Sequence, residues 1–350
     1  DIRGTGDITF NDGMLVGVPV KRASANWKYE GESISFSNIS ADVLNGTVSG
    51  GLAMSLRNLP PHLNLNLQAK GIDLDTIAKS YPQVSGMLSG TLDSVATNLS
   101  GMPMALSGSA SLIASNLTVK GQPLKDVKAT LQIKEGKRIN INASSRWNDA
   151  PIKAVGYVDL PGGPSVDLTL SWQRASIERI KALLPALKQL PIKGYPSGEI
   201  AVRGSLKDIS LLAISGKVWS DSLTVAKEEI KSPVANFRFK GNELNIDAFS
   251  ASWRKASIKG KGVISGLPKA ATLNVEGNVH GLNVSDLDQF VPQLSQYNIS
   301  GVISSQWTLK GPLNSPELSL DFNSDRLSLS GITVKGITGS TSLKPLAKPI

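Results

Sequence analysis

At 350 residues the chain is long enough for about two ordinary domains, unless it is a repeat array. It has no cysteine, which excludes a disulfide framework and thiolate chemistry, and its two histidines leave few acid–base groups for neutral pH. The net charge of +9 comes from lysines and arginines spread along the chain, with no basic-and-aromatic platform for single strands, so no nucleic-acid partner is expected.

The elements follow one another in a recurring order. FNDGMLVGVPV (10–20) opens the chain's first phrase, and ANWKYEG runs to Gly31. Asn45-Gly46 is a hairpin signal, and HLNLNLQ (62–68) alternates apolar and polar residues, the period of a strand with one apolar and one wet face. GIDLDTIAKSYPQVSG (71–86) predicts a short helix with Asp73 as N-cap and a stop at Pro82. ASNLTVKGQPL (114–124) repeats the opening phrase, and ATLQIKEG runs to Gly136. VDLTLSW (166–172) alternates again after the turn Pro161-Gly162-Gly163. A second helix is predicted in 175–198, with Ile177, Ile180, Leu183, Leu184 and Leu187 on one face and a kink at Pro185. SDSLTVAKEEIKSPV, ANFRFKG to Gly241 and ATLNVEGNV (271–279) follow. The third helical stretch, 281–301, has Ser285 as N-cap with Asp288 three residues on, and Pro292. ELSLDF (317–322) and SDRLSLSGITV complete the series.

The phrase ends on Val16, Val119, Val225 and Leu329, at spacings of 103, 106 and 104 residues, while Gly31, Gly136 and Gly241 are 105 apart. Two sets of landmarks with one period make the repeat real. They divide the chain into a partial unit 1–85, units 86–197 and 198–300, and a partial unit 301–350. The pattern is already running at Asp1 and another copy is starting at SLKPLAKPI, so a piece of a longer protein is expected.

The fold class expected is mostly β: an elongated, curved antiparallel sheet, a U-shaped groove, built of about 105-residue repeats with one short helix each. Aromatics are too sparse to fill a series of closed sandwiches, and in-strand glycines such as Gly156, Gly260 and Gly262 permit bends. About 25–30 strands are expected at roughly 4.8 Å spacing. A string of sealed sandwiches is the alternative.

No catalytic constellation stands out. His62 and His280 are far apart in sequence, and there is no nucleophile elbow, phosphate-binding loop or paired-histidine metal motif. The close carboxylates Asp73/Asp75, Glu228/Glu229 and Asp286/Asp288 read as caps and turns. No enzyme activity, metal or cofactor is expected.

The order of these motifs resembles the AsmA-like superfamily, and TamB-like proteins in particular: a helix of the form L-x-x-L-x-x-x-x-P, then S-G with an alternating run, a P-x-L strand and the L-x-L-x-G phrase. The fit is best over 281–343 and looser over 71–134 and 175–240. The resemblance implies a periplasmic groove, part of a protein anchored in the inner membrane of a double-membraned bacterium, that carries phospholipid toward the outer membrane. It also implies pairing with an outer-membrane barrel protein through regions outside this stretch.

Under that reading the groove-lining candidates are the alternating apolar residues. They are Leu63, Leu65 and Leu67, then Leu131, Ile133, Ile139 and Ile141, and Leu168 and Leu170. Further on come Phe237, Phe239, Leu244 and Ile246, Leu273 and Val275, and Leu318, Leu320 and Phe322. Two other functions stay open: a structural extracellular β-repeat stalk, and an assembly factor for outer-membrane proteins acting by strand addition at a sheet edge.

Overall fold

The computed structural model describes residues 2–15, 18–76, 88–183, 190–208, 212–267, 270–288, 296 and 298–343. Strand makes up about 76% and helix 4%, which settles the class as mostly β. The chain divides into two compact units, Asp1–Trp172 with Arg203–Lys207, and Gln173–Val202 with Asp208–Ile350.

The first unit carries β1 (Arg3–Leu15), β2 (Val18–Glu30), β3 (Ser33–Val43), β4 (Gly46–Ser55), β5 (His62–Asp73) and β6 (Leu88–Gly101). It continues with β7 (Ser107–Val119), β8 (Gln122–Lys134), β9 (Arg138–Trp147), β10 (Ala150–Asp159) and β11 (Ser165–Trp172). Each pairs antiparallel with the next in sequence. The second unit carries β12 (Ile192–Gly194), β13 (Ser197–Ser205) as far as Val202, β14 (Ala213–Trp219), β15 (Ser222–Val225), β16 (Glu228–Lys240) and β17 (Glu243–Trp253). After these come β18 (Ala256–Ser265), β19 (Thr272–Asn283), β20 (Ile299–Pro312), β21 (Glu317–Leu329) and β22 (Ile332–Leu343). Here β14 and β15 form one interrupted course against β16, and β16 to β22 pair in sequence order. The ladder is antiparallel throughout and does not close into a barrel.

Twenty-two strands lie among the described residues, fewer than the 25–30 expected, because alternation runs on through serine and asparagine. LSGTLDSVATNLSG is a single 14-residue strand rather than two short ones. The recurring phrase is a hairpin. In Lys120-Gly121, Ala226-Lys227 and Ser330-Gly331 both turn residues have positive φ, the geometry of a two-residue turn whose twist matches its strands. Its first copy falls on residues 16–17, outside the described residues.

Helical structure sits where the sequence places it. Residues 74–76 are helical, α1 spans Ile177–Leu183, and a 3₁₀ turn spans Val284–Leu287. Asp73 caps the first: its carboxylate accepts from the Asp75 backbone N–H and the Thr76 hydroxyl, each at 2.9 Å. Those donors, the Thr76 hydroxyl foremost, hold its pKa below the usual carboxylate range. Ser285 is not a cap. It lies inside the 3₁₀ turn, Asn283 holds the N-cap position, and no side chain completes a capping bond there. Leu184, Leu187, Pro82, Pro185 and Pro292 lie outside the described residues.

Within each unit the sheet is a single layer. No large side chain among the described residues is fully buried, yet apolar positions along the strands are mostly half-buried while their polar neighbours are exposed. A flat single layer would expose both faces alike, so each unit bends toward its apolar face. Two small cores close one end of that face. Ile72, Leu74, Leu92, Ala114, Leu117 and Val127 cluster beside residues 74–76, and Trp253, Ala256 and Leu282 pack with Leu287 of the 3₁₀ turn. The helical segments therefore cap strand ends and leave the middle of the face uncovered among the described residues.

Bends are built by two devices. Bulges break the register at Asn38 in β3, Asp126 in β8 and Ser232 in β16, each with positive φ. Glycine supplies the other, as Gly156 shows: its φ is +154° and a Cβ there would sit 2.0 Å from the Asp167 carbonyl oxygen, so only glycine permits this approach.

Candidate functional site

Residues paired directly across antiparallel strands project from the same side, so the registers trace rows across the face. One row in the first unit crosses all eleven strands: Gly6, Trp27, Phe36, Leu52, Leu65, Leu99, Gly108, Ile133, Ile139, Val158 and Val166. A second runs from Ile39 through Gly50, Leu67, Thr97, Ala110, Leu131, Ile141 and Gly156 to Leu168. Neither contains a charged side chain. The opposite face reads Gly51, Asn66, Asn98, Ser109, Gln132, Asn140, Tyr157 and Asp167 along the equivalent line.

The second unit repeats the arrangement with heavier side chains. Gly216, Phe237, Ile246, Gly262, Val275, Leu309 and Leu318 form one row. Ile214, Phe239, Leu244, Ile264 and Leu273 form another. A third holds Val218, Ala235, Phe249, Gly260, Gly277, Trp307 and Leu320.

All eighteen lining candidates lie on the apolar face of their unit. The first unit brings together Leu65, Ile133 and Ile139 on one row and Leu67, Leu131, Ile141 and Leu168 on the next; Leu63 is one step beyond Leu65, and Leu170 one step beyond Leu168. In the second unit Leu273 and Val275 are buried, and Phe237, Phe239, Leu244, Ile246, Leu318, Leu320 and Phe322 are half-buried. Leu170 is the one exposed member, at 40%.

The aromatic rings are placed by a device that the sequence did not reveal. Trp27 pairs with Gly6, Phe237 with Gly216, Phe249 with Gly260, Trp307 with Gly277 and Phe322 with Gly339. In every pair the ring occupies the space that a Cβ on the glycine would need. Phe249 and Trp307 reach toward each other over Gly260 and Gly277, with ring centroids 6.0 Å apart. Glycine spacing against aromatics on the neighbouring strand would have signalled this, but only once the register was known.

The polar face carries charged side chains, several of them in pairs. Arg138 makes a bidentate bond to Asp159 (2.6 and 2.9 Å) and lies over the Tyr157 ring. Arg238 grips Asp247, whose pKa it lowers chiefly through that hydrogen bond. The neighbouring carboxylates have structural partners: Glu228 accepts from the Trp253 indole N–H (2.8 Å), Asp286 binds Arg254 (2.6 Å), and Glu229 lies 3.8 Å from Lys231. His62 is exposed at the start of β5, and a His280 ring nitrogen lies 3.3 Å from the Ser304 hydroxyl. Among the described residues no three His, Asp or Glu side chains come together as a metal site, and no helix is long and apolar enough to cross a membrane.

The fold and site define an open, single-layered antiparallel repeat sheet with one uncharged apolar face in each unit. Comparisons with protein-family models, curated proteins and solved structures gave no match.

Proposed function

We propose that this chain is a periplasmic segment of a bridge between inner and outer membranes, holding phospholipid acyl chains on its apolar face and passing them along it. The observation that carries this reading is the pair of rows in the first unit that cross up to eleven strands without a charge. In-strand backbone N–H and C=O groups are engaged in the ladder, so an extended polypeptide laid on this face would leave its own backbone unsatisfied against apolar side chains. An alkyl chain has no such groups. Each methylene moved from water onto the face gains about 0.8 kcal/mol. A largely aliphatic lining offers similar energy at successive positions, which lets a chain slide. The motif order that resembles TamB-like proteins supports the same role and is the ground for its periplasmic location.

The test is direct. The purified chain is extracted with organic solvent and analysed by mass spectrometry, and bound phospholipid is expected. Lipid-free protein after expression in a double-membraned bacterium would overturn the reading.

A further inference from the structure

The antiparallel ladder of the first unit sends alternate connections to opposite edges, and the two edges are built differently. At the edge where β5, β7 and β9 end, tight turns and residues 74–76 close over the core of Ile72, Leu92, Leu117 and Val127. The other edge carries the connections 56–61, 102–106, 135–137 and 160–164, together with Leu206 and Lys207 of this unit, and none of those core residues. There Leu56, Leu59, Met102, Met104, Leu160 and Leu206 stand exposed, Leu59 and Met104 at 88% and 91%. Three of these leucines are held by one device. Leu56, Leu160 and Leu206 donate their backbone N–H groups to the carbonyls of Glu32, Lys137 and Pro164, at 2.7, 2.8 and 2.8 Å, each in the adjacent connection. Alternation from Met54 and Val158 keeps Leu56 and Leu160 in phase with the apolar face, so that face runs on to this edge.

We propose that phospholipid enters and leaves the first unit sideways over this edge, with the apolar tips as its lip and the lipid phosphate held outside by Lys134 and Lys207. The inference rests on the reading of the face as an acyl-chain surface. An acyl chain coming over the opposite edge would meet a packed core; at this edge it meets leucines and methionines that already face water. The charges favour the same occupant. Most are paired here, Arg57 with Glu32 and Arg138 with Asp159. Lys134 and Lys207 have no carboxylate partner among the described residues, and the Lys207 Nζ donates to the Gly162 carbonyl at 3.1 Å. Apolar tips beside unpaired cations match alkyl chains below phosphate groups. A second copy of this edge would bring further unpaired cations and no anion to meet them.

The experiment strips the whole chain of lipid and mixes it with vesicles of palmitoyl-oleoyl phosphatidylglycerol. Uptake is followed in time by native mass spectrometry, and circular dichroism checks the fold. Leu59→Ser with Met104→Ser, two side chains with little packing to lose, is expected to slow uptake about tenfold, since apolar surface is removed from the entrance alone. The final amount of bound lipid is expected to stay the same. Met14→Ser with Val119→Ser, exposed apolar residues at the plugged edge, is expected to leave the rate unchanged. Lys134→Glu with Lys207→Glu is expected to slow uptake about threefold from these anionic vesicles, and less from phosphatidylcholine vesicles. If wild type takes up lipid and the Leu59/Met104 variant, folded, takes it up as fast, the lip is wrong while the acyl-chain reading stands. If that variant instead turns a lipid-loaded dimer into a monomer in analytical ultracentrifugation, with its uptake rate unchanged, the edge joins two copies and the lip is equally wrong. Should wild type take up none, both readings fall.

Discussion

At Gly339 the structure isolates what a single glycine does. The three atoms nearest a Cβ there all belong to the Phe322 ring, at 2.5 to 3.2 Å. Gly339→Val is expected to destabilise the second unit by about 1–3 kcal/mol, the usual range for overpacking. In a Phe322→Ala background the same change should cost much less, and chemical denaturation of the four proteins of this cycle measures the coupling. Equal cost in both backgrounds would mean that the ring is not what the glycine accommodates. Asp73 offers a second test. Its pKa is depressed by hydrogen bonds formed in the folded state, so their stabilisation is present above the unfolded value near 3.9 and is lost as pH falls through the lower folded value. A carboxyl NMR titration should place its midpoint below about 3.9. Acidification through that midpoint should lower the amide-exchange protection factors at residues 74–76, taken relative to the intrinsic rate at each pH.

The bulges decide which residues reach the apolar face of a strand. In β8 the register breaks between Lys125 and Lys128, with Asp126 at φ 53°. The break puts Leu124 and Val127 with the apolar core, although their spacing in sequence would point them to opposite faces. Asp126→Val should destabilise the first unit by about 1–2 kcal/mol, the penalty of a β-branched side chain in the left-handed region, whereas Asp126→Gly should be close to neutral. Thermal melts of the two variants distinguish this from a loss of the 3.8 Å contact with Arg146, which both remove. These breaks also mark what the sequence could not disclose. Alternation in HLNLNLQ or VDLTLSW assigns faces over six or seven residues, and the turn signals locate hairpins. The phase across Asn38, Asp126 or Ser232 depends on pairing with another strand.

For the whole molecule, the expected role turns on an apolar surface that needs an occupant. Leu65, Leu168 and Ile246 changed together to glutamate should abolish phospholipid binding, measured on extracted protein, while circular dichroism stays that of a β-sheet. Retained binding would mean that these positions do not face lipid. Exposed apolar surface of this extent favours association. Protein stripped of lipid by detergent should therefore self-associate with rising concentration in analytical ultracentrifugation, and added phospholipid should reverse it.

An antiparallel ladder obeys a rule of parity. In the first unit six strands, β6 to β11, separate the helical residues 74–76 from the end of β11. In the second, counting β12 with β13 and β14 with β15 as one course each, six courses separate α1 from the 3₁₀ turn. An even count returns the chain to the edge it left, so within the second unit the 3₁₀ turn arrives on the side from which α1 departs, and within the first unit β11 ends on the side that holds residues 74–76. Such a protein can gain or lose length only two strands at a time. Excision of one whole hairpin should yield a shorter folded chain, and excision of one strand should not.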